Sequence, residues 1–228
     1  MARQKGWKDM NLIEVNGVSK QFKNQTALKE TTIPFEEGKI HGIVGMNGSG
    51  KTVFLKLLCG LLCPTAGAIT VCGKVLGKDR DFAPDTGILI ETPNFLPYKS
   101  GMGNLWDLAS IQRKVGKEQI AETMLTAGLD PASKKWVGKY SLGMRQRLGI
   151  AQAIMEDPAL LLLDEPMNGL DKRGCEDMRA LFSGLRDAGK TIVLASHIAE
   201  DIQVLCDTVC EMENGVLSKT KGWDIEDM

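Results

Sequence analysis

Gly45-Met46-Asn47-Gly48-Ser49-Gly50-Lys51-Thr52 is the stretch on which the fold class turns. It fits Gly-x-x-x-x-Gly-Lys-[Ser/Thr] at every defined position. A triphosphate carries several negative charges, and backbone N–H groups converge on it only where side chains do not obstruct. Gly48 and Gly50 permit the tight turn and the close approach. Lys51 then reaches the β- and γ-phosphates, and the Thr52 hydroxyl is a ligand for Mg²⁺. The expected binding set runs from Asn47 through Gly48, Ser49, Gly50, Lys51 and Thr52 to Val53.

The pattern needs a strand before it and a helix after it. Lys39-Ile40-His41-Gly42-Ile43-Val44 is a compact apolar strand, and Lys51 to Leu62 reads as a helix stopped by Pro64. The free N–H groups and the positive end of that helix also face the phosphates. Upstream, Leu12-Ile13-Glu14-Val15 is a short strand that ends at the turn pair Asn16-Gly17, and Thr31-Thr32-Ile33 runs into Pro34. Downstream, residues 67–90 return to strand-like segments ending in Gly87-Ile88-Leu89-Ile90. Residues 95–155 read as helical, with helices over Asn104–Lys114 and Lys117–Ala127, stops at Gly116 and Gly128, and a third from near Leu142 to before Pro158.

Ala159-Leu160-Leu161-Leu162-Leu163 is a run of five apolar residues, suited to a strand buried on both faces of a parallel sheet. Met178, Leu181, Phe182 and Leu185 follow at helical spacing, and Thr191–Ala195 is the next buried strand. Strand, helix and strand in this order predict an α/β core with right-handed crossovers.

The first of these strands ends in Asp164-Glu165-Pro166. Ligands of open α/β sheets gather at strand C-terminal ends, where this acidic pair must sit. Asp164 is the natural second anchor for Mg²⁺. Glu165, one residue on, is free to point at an attacking water, orient it and take its proton. Together the motifs predict a chain that binds and hydrolyses MgATP.

Composition narrows the function classes. The formal net charge of −1 gives no electrostatic footprint for nucleic acid. No apolar run approaches the ~20 residues of a membrane span, and the charged N-terminal stretch has no apolar segment after it, so no secretory signal is expected. A cytosolic location is the expectation. The six cysteines include no Cys-x-x-Cys, and the two histidines lie far from any cysteine pair, so buried reduced thiols are expected; Cys72 falls within a strand on this reading. No Asn-Lys-x-Asp segment marks a guanine nucleotide site.

Tyr140-Ser141-Leu142-Gly143-Met144-Arg145-Gln146-Arg147 settles the resemblance. With the motifs above, it resembles the signature segment of ABC transporter ATP-binding subunits, over nearly the whole chain. That family's order is aromatic residue, phosphate loop, glutamine loop, signature, acidic strand, D-loop and switch histidine. Phe22 matches the aromatic that stacks on adenine, and Asn168-Gly169-Leu170-Asp171 resembles the D-loop, with Asp171 at the dimer contact. Ser196-His197 resembles the switch, with His197 touching the γ-phosphate and helping to hold the water. The resemblance implies a P-loop NTPase (RecA-like) α/β core with an N-terminal antiparallel β subdomain and an inserted helical subdomain, all within one domain, 1–228. It also implies two subunits closed head to tail on ATP, with Ser141, Leu142, Gly143 and Met144 of one contacting the ATP held by the other. A separate transmembrane permease completes the transporter, and the chain would sit at the cytoplasmic face of the membrane.

Three positions depart from that pattern. Glu91 stands where glutamine is usual, which adds negative charge to the Mg²⁺ site; Leu142 replaces a glycine and Met144 a glutamine. With Ile90-Glu91-Thr92-Pro93-Asn94-Phe95, these features resemble exporters of the bacitracin and lantibiotic resistance type. Phe95, Tyr98, Met102 and Trp106 are candidates either for the face toward the permease or for packing within the helical insertion. Most ribosome- or DNA-directed relatives carry two nucleotide domains or a long coiled coil, and this sequence has neither, which weighs against that alternative.

Overall fold

A computed structural model of the chain describes residues 11–91 and 93–220. The N-terminal stretch read for a signal, and Thr92 of the 90–95 segment, lie outside the described residues. In chain order the elements begin with β1 (Asn11–Phe22), β2 (Gln25–Glu36), β3 (Ile40–Val44), α1 (Lys51–Cys59), β4 (Ala66–Val71), β5 (Lys74–Val75) and β6 (Thr86–Leu89). Next come α2 (Gly101–Gln112), α3 (Lys117–Thr126), a 3₁₀ turn at Val137–Lys139, and α4 (Leu142–Ile154). The remainder is β7 (Leu160–Asp164), α5 (Lys172–Asp187), β8 (Thr191–Ser196), α6 (Ala199–Leu205), β9 (Thr208–Glu213) and β10 (Val216–Lys219).

Two sheets result. The first is antiparallel, in the order β2-β1-β4-β5. The second has the order β10-β9-β3-β8-β7-β6, parallel from β9 to β6 with β10 antiparallel at its edge. All five residues of β7 and all six of β8 are buried, as strands covered on both faces require. Their side chains alternate between two cores. Leu160, Leu162, Val193 and Ala195 face α1 and the antiparallel sheet, where Phe35, Phe54 and Leu58 pack. Leu161, Leu163, Ile192 and Leu194 face Met178 and Phe182 of α5 and Ile202 of α6. Leu162 has no exposed surface, and cutting such a residue back to alanine costs about 2–5 kcal/mol. A third core joins α2, α3 and α4 around Leu105, Ile120, Met124 and Leu148.

Several sequence expectations are corrected at element ends. Asn16-Gly17 is not a turn: β1 runs on to Phe22, with register shifts between Val15 and Val18 against β2 and between Asn16 and Ser19 against β4. The asparagine–glycine pair makes a bulge, which uses the same left-handed backbone (Gly17 φ 59°) as a turn would. The true hairpin turn follows Phe22, at Lys23 (φ 47°). The first helix stops at Gly60, whose N–H bonds to Leu57 O, four residues before Pro64. The second starts at Gly101, because the Ser100 hydroxyl accepts the Gly103 N–H, and it ends at left-handed Arg113, not at Gly116. Gly116 instead precedes α3.

The cysteines are all free, but only Cys59 and Cys210 are buried, while Cys63 and Cys72 are exposed. Cys72 lies just past β4, at φ 48°. Burial pushes the Cys206 and Cys210 thiols up to about 12, so both stay protonated at neutral pH. Phe95 and Met102 pack against the helical core, whereas Tyr98 and Trp106 keep substantial exposure.

Candidate functional site

β3, β7 and β8 are parallel neighbours, so their C-terminal ends emerge side by side. That register brings the phosphate loop, the acidic pair and His197 to one edge of the sheet. The loop is braced from outside the core. Gly215 N donates to Ser49 O at 3.0 Å, and Lys29 N to Gly215 O at 2.7 Å. Gly50 has φ 116°, and a β-carbon there would stand 2.8 Å from Ala27 O. Only glycine satisfies both conditions.

Phe22, Asn47 through Val53, Asp164 and Glu165 line a common cleft of about 500 Å³, together with Gln25–Ala27, Asn214 and Gly215. The last two groups carry no motif, and the sequence offered no signal for them. Phe22 is 42% exposed, so it is not the core phenylalanine that an apolar strand residue usually becomes. Lys20 Nζ lies 4.9 Å from its ring centre.

Lys51 is buried, and its ammonium donates to Gly45 O at 2.6 Å and Met46 O at 3.2 Å, with Glu165 Oε1 3.5 Å away. The Thr52 hydroxyl donates to Asp164 Oδ2 at 2.6 Å. Asp164 Oδ1 is buried and has no hydrogen-bond partner. Desolvation holds the Asp164 carboxyl above the usual range, with the Thr52 hydrogen bond opposing it and the Glu165 charge adding to it. A buried, half-satisfied carboxylate beside a hydroxyl is an incomplete set of hard oxygen ligands. Among the described residues no group of three or more His, Cys, Asp or Glu could hold a metal alone. The pair therefore fits a Mg²⁺ that takes its other ligands from phosphate and water.

Glu165 follows at φ 48°. Its N–H donates to Ala195 O at 2.8 Å, and its Oε2 faces His197 Nδ1 at 2.8 Å and His197 N at 3.3 Å. Its Oε1 has no hydrogen bond. One carboxylate oxygen is thus anchored by the switch segment, and the other is buried on the phosphate-loop side without a hydrogen bond, 3.5 Å from Lys51 Nζ.

Glu91 does not line the cleft. Its carboxylate is exposed and paired with Lys56 Nζ at 2.5 Å, although its charge still contributes to raising Asp164. Ser141 caps α4, its hydroxyl accepting the Met144 N–H at 3.2 Å. Leu142 is half exposed and packs on Gly169. Ser141, Leu142, Gly143 and Met144 are absent from the cleft that holds Lys51. Asp171 caps α5, accepting the Gly174 N–H at 2.8 Å.

The sequence profile of the ABC transporter family matches residues 28–168. The chain is similar to the uncharacterized ABC transporter ATP-binding protein YybJ of Bacillus subtilis, with 40% identity over 92% of this chain and 96% of that one. It is 36% identical to the bacitracin transport ATP-binding protein BcrA of Enterococcus faecalis, over 90% of this chain and 68% of BcrA. With the lantibiotic transport ATP-binding protein SrtF of Streptococcus pyogenes it shares 31% identity over 93% and 92% of the two chains. In fold it is similar to the ATP-binding cassette MJ0796, solved as a dimer in a post-hydrolysis state with ADP and Pi. The TM-score is 0.82 at 23% identity, over 92% of this chain and 99% of that one.

Proposed function

The chain is an ATPase domain of the ABC transporter family, and from that premise we propose that it dimerises on ATP and drives export through a separate membrane permease. The observation that carries this reading is the convergence of Lys51, the Thr52–Asp164 pair and the Glu165–His197 pair at one sheet edge. Phosphates entering the cleft would meet the N–H groups of the loop and the start of α1. Lys51 would exchange its two carbonyl partners for phosphate oxygens. Mg²⁺ on Thr52 and Asp164 would neutralise charge on the phosphates. Glu165 would orient the attacking water through Oε1 and take its proton, while His197 fixes Oε2 and reaches toward the γ-phosphate.

Among the described residues, those lining the cleft do not include Ser141–Met144. Ser141–Met144 begin α4 away from that cleft, with N-terminal amides and a dipole end suited to an anion. A second subunit would supply them, with Asp171 and its loop at the contact. Phe22 would stack on adenine. Similarity to bacitracin and lantibiotic transport proteins supports an antimicrobial peptide or drug as cargo. Among the described residues no helix is long and apolar enough to cross a membrane; as an ATP-binding subunit of its family the chain would sit on the cytoplasmic side, held by the permease.

Glu165→Gln tests this reading. Hydrolysis should fall by about 10²–10⁴-fold, ATP affinity should persist, and a nucleotide-bound dimer should accumulate on size-exclusion chromatography. Turnover equal to wild type would remove Glu165 as the base.

A further inference from the structure

Gln146 is an amide on α4, 8% exposed, whose Nε2 donates to the backbone carbonyl of Glu165 at 3.0 Å. Glu165 needs such support. Its φ of 48° lies in the left-handed region, which residues bearing a side chain seldom adopt. Three hydrogen bonds fix its backbone: its N–H to Ala195 O (2.8 Å), and its carbonyl from Gln146 Nε2 (3.0 Å) and Asn168 N (3.1 Å). The first two come from β8 and α4. Of these three backbone bonds, the Gln146 contact is the one made by a side chain, and it joins Glu165 to the helix that starts at Ser141. The same helix touches the 165–170 loop a second time, where Leu142 lies over Gly169.

We propose that Gln146 is a positioning residue that holds the Glu165 backbone in its left-handed conformation, and so ties the signature end of α4 to the base of the same subunit. The carboxylate swings from this backbone, so a small rotation there moves Oε1 relative to the water it must orient. In a head-to-tail dimer the N-terminus of α4 meets the ATP bound by the partner, while Gln146 grips its own subunit's Glu165. Occupancy of one ATP site thereby bears on the base at the other. That consequence rests on the dimer reading above; the grip on Glu165 does not.

Gln146→Met keeps the length and apolar body of the side chain and removes the donor. Gln146→His restores a donor, because its Nε2 stands as many bonds from Cα as the lost amide nitrogen. In Gln146→Met, kcat should fall by on the order of 10- to 100-fold, with KM and the ATP affinity of the monomer unchanged. Gln146→His should recover most of the loss. In the Glu165→Gln background, Gln146→Met should leave the ATP-bound dimer intact, since the capping residues of α4 are untouched. Wild-type kcat in Gln146→Met overturns the proposal. So does equal damage in the Met and His variants, which marks a packing role. Loss of the dimer in the double variant places the effect at the trans contact instead, and also overturns it. Should Glu165→Gln alone fail to dimerise, the dimer reading falls, while the kcat comparison still judges Gln146.

Discussion

Thr52 and Asp164 are 112 residues apart in sequence, yet the threonine hydroxyl donates to the aspartate at 2.6 Å. The bond crosses from the first turn of α1 to the last residue of β7, so it registers the phosphate loop against the acidic strand. It satisfies one carboxylate oxygen and leaves Oδ1 buried without a partner. Such a site is kept at a cost to the empty protein, because burial opposes the charged form.

Asp164→Asn should therefore separate stability from activity. The amide keeps an oxygen for Thr52 and removes the buried charge, so the nucleotide-free protein should be at least as stable as wild type at neutral pH. The carboxyl is raised by burial, so the folded state binds a proton more readily than the unfolded chain. Wild-type stability from this group accordingly rises as pH falls through its raised folded value, and levels off below the unfolded value near ~3.9. Mg²⁺ needs the ionised form, so its affinity should weaken over that same fall. Hydrolysis by Asp164→Asn should drop by on the order of 10²-fold or more. Thermal melts with and without MgATP check both halves, and a variant less stable than wild type without ligand would contradict the desolvation argument.

Glu91→Gln addresses the departure that puts a carboxylate where the family usually has an amide. The Glu91 side of the Lys56–Glu91 pair is exposed, so losing the pair should cost about 1 kcal/mol or less. The Glu91 charge nonetheless acts on Asp164. Removing it should raise the Mg²⁺ concentration needed for half-maximal hydrolysis at low salt, and added salt should shrink the difference. An identical Mg²⁺ dependence at low ionic strength would show that Lys56 already cancels the charge.

His41 supplies the acid limit of the fold. It is buried on β3, with Nδ1 2.6 Å from Thr208 Oγ1 and Nε2 2.9 Å from Glu36 O. The carbonyl accepts only, so Nε2 carries the hydrogen and Nδ1 accepts from the threonine. Burial pushes the imidazole below its ordinary value despite the carbonyl partner. The neutral folded form is fully favoured above the unfolded value of ~6.5, and its stability is lost as pH falls below that toward the folded value. His41→Gln should flatten the acid slope of denaturant-measured stability by up to ~1.4 kcal/mol per pH unit. Parallel slopes in the two proteins would assign acid sensitivity to other groups.

The parts of this molecule that were legible in sequence are those with a strong local cause. A run of leucines ending in Asp164 has one stable home, a strand covered on both faces. The phosphate loop carries its chemistry in glycines, a lysine and a threonine at fixed spacing. Asn16-Gly17 misled because a bulge and a turn use the same left-handed backbone, and only pairing with β2 and β4 decides between them. Glu91 was placed by its position in the motif order, but Lys56, one turn along α1 from Thr52, draws its carboxylate aside. Gln146 lies within the stretch that carries the resemblance, but one amide in a helix gives no periodic or spacing signal of this role, which exists only once α4 lies against the end of β7.

Leu142 stands where the family's signature usually has glycine, and its neighbour across the contact shows how it is accommodated. Gly169 has φ 77°, and a β-carbon there would come within 2.4 Å of Leu142 Cδ2. Gly169→Ala therefore meets two penalties, the left-handed backbone at about 1–2 kcal/mol and a collision with the leucine. Leu142→Ala removes the collision but leaves the backbone strain. The double variant should then be less destabilised than the sum of the two singles, with a coupling energy of about 0.5–3 kcal/mol. The contact joins the start of α4 to the loop before Asp171, so Gly169→Ala should also slow ATP hydrolysis, and Leu142→Ala should restore part of that rate. Denaturant titrations and turnover of all four proteins close the cycle. Strict additivity in both measurements would mean that the leucine moves freely aside, and that this contact does not link the signature to the loop.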